Sequence, residues 1–227
     1  MSEVEAIRHK QGGEKALSED RRDTRQRLLS AAIDEFCVHG RKGASTTRIV
    51  EMAECNIRML YHYFGNKDGL YRAALVQVYE DLRSAELKQD FWSGTPTEGV
   101  VGLMHFTFDY MTENRQFPGM ILAENLAGGE TVANAHEPYE GSRKLIANLD
   151  SLLCRGYVNG EFTRKTDALN LYLTILALSF IHISNQHTLS ATFGLSLDTP
   201  DFIARRRSQA AEVVLGFLGA PQPDTLS

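Results

Sequence analysis

The chain is poor in the residues that staple, alternate or span. Its 227 residues include three cysteines, Cys37, Cys55 and Cys154, with no C-x-x-C spacing. An odd, dispersed set of this kind excludes a disulfide framework and reads as reduced thiols in a cytosol, with redox sensing as the competing role. No useful run alternates apolar and polar residues, which argues against a sheet. The N-terminus, with Glu3, Glu5, Arg8, Lys10 and a Gly-Gly pair, has no apolar stretch, so no secretory signal is expected. The most apolar segment, Thr166 to Gln186, is interrupted by Asn170, His182 and Asn185 and falls short of the ~20 apolar residues that a bilayer requires. No G-x-x-x-x-G-K, G-x-S-x-G, H-E-x-x-H or paired-cysteine pattern occurs, so no enzyme, cofactor or metal site is expected.

What remains is helix after helix, with 43% hydrophobic residues. The densest information lies between Thr24 and Tyr71. Leu29, Ala32, Ile33 and Phe36 recur at i, i+3, i+4 and i+7, which predicts a helix with one apolar face ending near His39-Gly40. Ser45 can cap a second helix that buries Thr46, Ile49, Val50 and Ala53. After a turn at Glu54-Cys55, Asn56 can accept from the free amides of a third helix with Met59 and Leu60 inward. Its other face carries Ile57, Arg58, Tyr61 and His62. A short helix offering a cation, a phenol and an imidazole can reach base edges and phosphates from a major groove. Asn66 then caps a further helix with Lys67 in its first turn, a ready phosphate anchor. Polarity alone fits a three-helix packing unit with a solvated face equally well.

The order and spacing of these elements resemble the DNA-binding domain of the tetracycline-repressor (TetR/AcrR) family of bacterial regulators. The likeness rests on T-R-x-x-L-L-x-A-A-x-x-x-F from Thr24, on Ser45 to Thr47, and on Leu60-Tyr61-His62-Tyr63-Phe64 followed by Asn66-Lys67. Carried over by position, the resemblance implies DNA contacts at Thr47, Asn56, Ile57, Arg58, Met59, Tyr61, His62 and Lys67. Three positions depart from the family pattern. Glu54 stands where the turn usually has glycine, which predicts a strained or reshaped turn. Ile57 replaces a frequent lysine, and Arg58 a small residue.

Charge distribution supports this division. The net charge of -5 hides ten Lys or Arg against six Asp or Glu between Arg21 and Arg72, and eleven against eighteen from Ala73 onward. A basic head on an acidic body suits phosphate contact at one end. The expected organisation is a tail without fixed structure over 1–20, a helix-turn-helix domain over 21–71, a larger all-α body over 72–220 and a short tail over 221–227. Within the body, Thr95-Pro96-Thr97-Glu98 reads as a capping box, Phe117-Pro118 opens the next helix, and another follows Pro138. Thr199-Pro200-Asp201 opens a last helix, stopped by Gly219 and Pro221.

The helix from Thr166 to Gln186 is apolar almost all round and must be covered on more than one face. By resemblance, it and the helix from Thr199 to Leu218 pair with their copies in a homodimer, which in turn implies a palindromic operator on double-stranded DNA. A glutamate at Val214 is expected to break that seam. Aromatic and thioether side chains share the body helices with isolated polar groups, the mixture that lines small-molecule sites. The resemblance implies a small-molecule effector there, and Phe106, Tyr110, Met120, Glu124, Tyr172 and His182 are the candidates to line its site. Core packing is the competing explanation for each. The expected function is a cytoplasmic DNA-binding transcriptional regulator, a repressor released by its effector. The alternative is an all-α ligand-binding or catalytic protein whose N-terminal unit mediates protein contacts.

Overall fold

The computed structural model describes residues 3–220, with side chains described over 22–135 and 140–220. Among these residues every regular element is a helix. They form two compact units, the first comprising the chain up to Gln77 together with Ala123–Asn134, the second Val78–Leu122 and the chain from Ala135 onward. The sequence put the boundary after residue 71 and gave no sign that 123–134 returns to the first unit. No local periodicity records a return contact of that kind.

The first unit opens with α1 (Glu3–Gly43), broken at Gly40, where φ is 62°. The polar stretch expected to lack fixed structure belongs to α1 from Glu3 onward. It contains no proline, and its Glu, Lys, Ala and Arg residues are good helix formers. Leu28, Leu29, Ala32, Ile33 and Phe36 form the buried stripe of α1. The next elements are α2 (Thr46–Met52), α3 (Ile57–Phe64) and the first half of α4 (Lys67–Glu86). Phe36 meets the buried ring of Tyr71 edge-on, with centroids 4.9 Å apart.

In the second unit the order is the rest of α4, α5 (Pro96–Glu113), most of α6 (Gln116–Leu126), α8 (His136–Val158), α9 (Ala168–Ser184), α10 (Gln186–Phe193) and α11 (Pro200–Leu218). The one-turn α7 (Glu130–Ala133) belongs to the first unit. Thr95 and Glu98 form the expected capping box at α5, and Thr199 caps α11 ahead of Pro200. The core joins Val100, Leu103, Met104 and Phe108 of α5 to Leu145, Leu149 and Leu152 of α8, Leu171 and Ile175 of α9, and Ala210, Val214 and Leu215 of α11.

Burial decides which faces of α9 and α11 look outward. Leu169, Leu173 and Ile181 on α9 are 52%, 52% and 43% exposed, and Val213 and Phe217 on α11 are both 47% exposed. Val214 is 1% exposed, so it is a core residue and not the seam residue expected from the sequence. Adjacent valines point about 100° apart on a helix, and only packing tells which one is inward. No single described helix is long and apolar enough to cross a membrane. The expected tail over 221–227 lies outside the described residues.

Candidate nucleic-acid interface and body cavity

The helix-turn-helix is assembled by short-range caps. The Ser45 hydroxyl accepts from Arg48 N at 3.4 Å, Asn56 Oδ1 accepts from Arg58 N at 2.9 Å, and Asn66 Oδ1 accepts from Gly69 N at 2.8 Å. Each cap satisfies an amide that the first helical turn leaves without an internal partner. Between α2 and α3, Glu54 turns the chain at φ 50°, the one non-glycine positive φ among the described residues. The glutamate therefore takes the left-handed conformation that usually falls to glycine, as the sequence led one to expect of a strained turn.

Buried Glu35 ties α1 to α2. Its carboxylate accepts from Ser45 N at 2.7 Å and from Arg48 Nε at 3.0 Å. The Arg48 guanidinium, with the Ser45 amide, holds the Glu35 carboxyl below the usual carboxylate range against the opposing effect of burial. Arg27 donates from Nε to the Ala53 carbonyl at 3.2 Å and so braces the end of α2. With the frame fixed, α3 buries Leu60 and exposes Arg58, Tyr61 and His62, while Ile57 and Met59 are half-buried. Thr47 and Asn56 are exposed beside them. Lys67 is half-buried, its ammonium donating to the Lys42 carbonyl at 3.2 Å. The eight DNA-contact candidates thus occupy α2, α3, the turn before α3 and the first residue of α4. Thr46, expected to be buried, is only half so.

The six effector candidates do not share one cavity. Glu124 belongs to the first unit, where its Oε1 accepts from Thr131 N at 2.6 Å and Val132 N at 3.1 Å and so caps α7, whose own N-cap, Gly129, has no side chain to do it. Beside it, burial pushes the Tyr71 phenol up. Met120 is fully buried. His182 is buried with its ring stacked on Phe108 at 4.7 Å and Nε2 3.3 Å from Thr112 Oγ1, while Nδ1 has no partner among the described residues. Burial, with Arg206 and Arg115 nearby, pushes the His182 imidazole down to about 4. It is therefore neutral at ordinary pH. Phe106 and Tyr110 line a polar depression of about 640 Å³ with His105 and the Asp109–Arg207 pair, in which Arg207 Nε donates at 2.7 Å and Nη2 at 2.8 Å.

Tyr172 alone of the six lines the more apolar cavity. That space, about 300 Å³, is walled by Tyr79, Leu82, Arg83, Met111, Phe117, Ile121, Ser142, Tyr172, Leu176, Ala177 and Phe180. Arg83, the one basic residue among its described walls, is not one of the residues expected from the sequence. A signal was there: Tyr79, Arg83 and Glu86 follow Leu75 and Leu82 at helical spacing, which puts an ion pair on the inward stripe of α4.

Two family profiles match the chain. The profile of bacterial regulatory proteins of the tetR family matches residues 28–74, and that of the tetracyclin repressor-like C-terminal domain matches residues 96–214. The chain is 37% identical over 159 residues to the HTH-type transcriptional repressor SCO4008 of Streptomyces coelicolor, covering 69% of this chain and 76% of that protein. It is 29% identical over 185 residues to the HTH-type transcriptional repressor NicS of Pseudomonas putida, covering 82% and 86%. Among solved structures, a bacterial regulatory protein in the tetR family from Rhodococcus aligns with a TM-score of 0.68 at 16% identity, over 87% of this chain and 98% of that one. The transcriptional regulator FadR of Bacillus subtilis, in complex with stearoyl-CoA, aligns with a TM-score of 0.61 at 16% identity, over 83% and 96%. At such identities the structural likeness speaks for the fold alone.

Proposed function

Because the chain belongs to the tetracycline-repressor family and is a helix-turn-helix transcriptional regulator, not an enzyme, we propose that it acts in the cytoplasm as a homodimeric repressor on a palindromic operator and leaves it when a small molecule binds the body. The observation that carries the DNA reading is the exposed face of α3, with Arg58, Tyr61 and His62 on a helix whose frame is fixed by Ser45, Asn56 and Glu35. An arginine fork there can bond a guanine edge, and Tyr61 and Lys67 can meet phosphates. The homodimer rests on the outward apolar stripe of α9 and α11, since an apolar surface of this kind on a regulator marks a contact site. A two-fold protein then imposes a two-fold site. Release rests on the hollow in the second unit, and it requires an effector that favours one head spacing over the other.

Selection of bound fragments from random DNA, followed by sequencing, tests this. An inverted repeat is expected. Arg58→Ala should change the preferred base at one position in each half-site at a cost of ~1–3 kcal/mol, whereas Tyr61→Phe and Lys67→Ala should weaken all sequences alike. Unchanged binding in all three folded variants would overturn the assignment.

A further inference from the structure

We propose that the 300 Å³ cavity of the second unit is a site for small hydrophobic carboxylic acids, with Arg83 as the anion partner. The inference rests on the reading of the body as an effector domain and narrows it to a chemical class. Aromatic rings of Tyr79, Phe117, Tyr172 and Phe180 dominate the walls, and the volume sits at the low end of the ~300–1,000 Å³ usual for ligand pockets, so the occupant has one compact apolar body. Among the described wall residues only one carries a full charge, and it is a cation.

Arg83 is placed for an incoming anion. It is largely buried, its Nη1 is paired with Glu86, and its Nε, packed against Gly141, is a buried donor with no hydrogen-bond partner among the described residues. A buried unsatisfied donor is costly, so the guanidinium gains from any acceptor that can reach it, and a ligand carboxylate supplies one. The Tyr172 phenol interacts with the same guanidinium, and burial keeps it protonated and able to donate. The backbone approaches closely here: a Cβ at Gly141 would lie 3.0 Å from Arg83 Cδ and 3.2 Å from Nε, so the guanidinium stem is held in place. A guanidinium and a phenol at the end of an apolar slot bind a planar monocarboxylate, and an arginine fork matches that group better than it matches a neutral amide. Glu86 already shares the guanidinium, which disfavours a second acidic group on the ligand.

The test uses the full-length protein and a set of aryl and cycloalkyl monocarboxylates, each beside its uncharged primary amide, with calorimetry for binding and operator retention for release. Acids should bind at least ~tenfold more tightly than their amides. Arg83→Gln should abolish that preference. Should the lone Glu86 left behind unfold it, the Arg83→Gln, Glu86→Gln pair, which leaves no orphaned carboxylate, should behave the same way. Glu86→Gln alone should tighten acid binding several-fold and leave amides unchanged, because the ligand no longer shares the guanidinium. Equal binding of acids and amides, retention of the preference without Arg83, or no binding of any acid would overturn the proposal and leave the effector reading standing if other compounds release the operator. Selective acid binding with no change in operator affinity would uphold the site and remove its regulatory role.

Discussion

The helix caps of the first unit and the polar pairs that tie the second unit together work over very different sequence distances. In the helix-turn-helix, Ser45, Asn56 and Asn66 each bond an amide two or three residues on. In the second unit, Thr97 donates from both its amide and its hydroxyl to Glu161, Thr112 meets His182, and Arg207 clasps Asp109, pairs 64, 70 and 98 residues apart. A cap is formed as soon as its own turn forms, whereas a long-range pair exists only in the finished fold. Polar substitutions on the reading face should therefore separate binding from folding, and substitutions inside the body should not.

The sharpest way to break this contrast is in two adjacent valines. Val214→Glu puts a charge into the core of the second unit and should cost about 4 kcal/mol or more, seen as loss of the cooperative urea transition. Val213→Glu, on the outward stripe, should leave the monomer's unfolding midpoint nearly unchanged and turn dimers into monomers in sedimentation at micromolar concentration. Dimers that survive Val213→Glu would place the seam elsewhere.

A smaller effect is expected in the head at Glu35, a buried carboxylate that works over a longer distance than a cap. Glu35→Gln keeps the shape but loses the charge on which Ser45 N and Arg48 converge, and should cost about 2 kcal/mol in chemical denaturation. Its operator affinity should fall in proportion to the lost fold, with no change in sequence preference.

Acid should open the two units in order. His182 has a folded pKa of about 4 against an unfolded value of 6.5, so below pH 6.5 the unfolded chain takes up a proton that the folded chain refuses. Stability should fall from pH 6.5 toward 4, and His182→Asn should flatten that slope. Glu35 has a lowered pKa, so its contribution is complete above 4.5 and is lost only as pH falls below that value. Denaturation curves at half-unit pH steps would expose the two windows, and an identical slope in wild type and His182→Asn would contradict the assignment. The smallest effect concerns the turn: Glu54→Gly should relieve the left-handed backbone and stabilise by roughly 0.5 kcal/mol, since glycine's entropy cost cancels part of the gain.

The same difference in range explains what could be read from the sequence. Ser45, Asn56, Asn66, Thr95 and Thr199 could be assigned as caps because their partners lie within one turn. The short α7 and α10 could not. The first is capped by Glu124 from a different helix, and the second follows α9 after a 70° bend at Asn185 with no proline or glycine to announce it. In the body, Phe106, Tyr110, Met120, Tyr172 and His182 sit on helices whose rotation about their own axes is set by packing, so composition could say that a hollow was plausible but not which side chains face it. Glu124 lies on the part of α6 that belongs to the first unit, a division that no local pattern in the sequence marks.

One feature of the outward stripe bears on cells that hold many related regulators. From Ala168 to Ser184, α9 contains no lysine, arginine, aspartate or glutamate. If Leu169, Leu173 and Ile181 meet their copies as proposed, half of the seam has no charge code by which to refuse a sister chain, and like-charge repulsion cannot veto a mixed pair. Fidelity of pairing then falls to side-chain shape on α9 and to the charged residues of α11, such as Arg205 and Glu212. A hybrid with two different reading heads would recognise an asymmetric site.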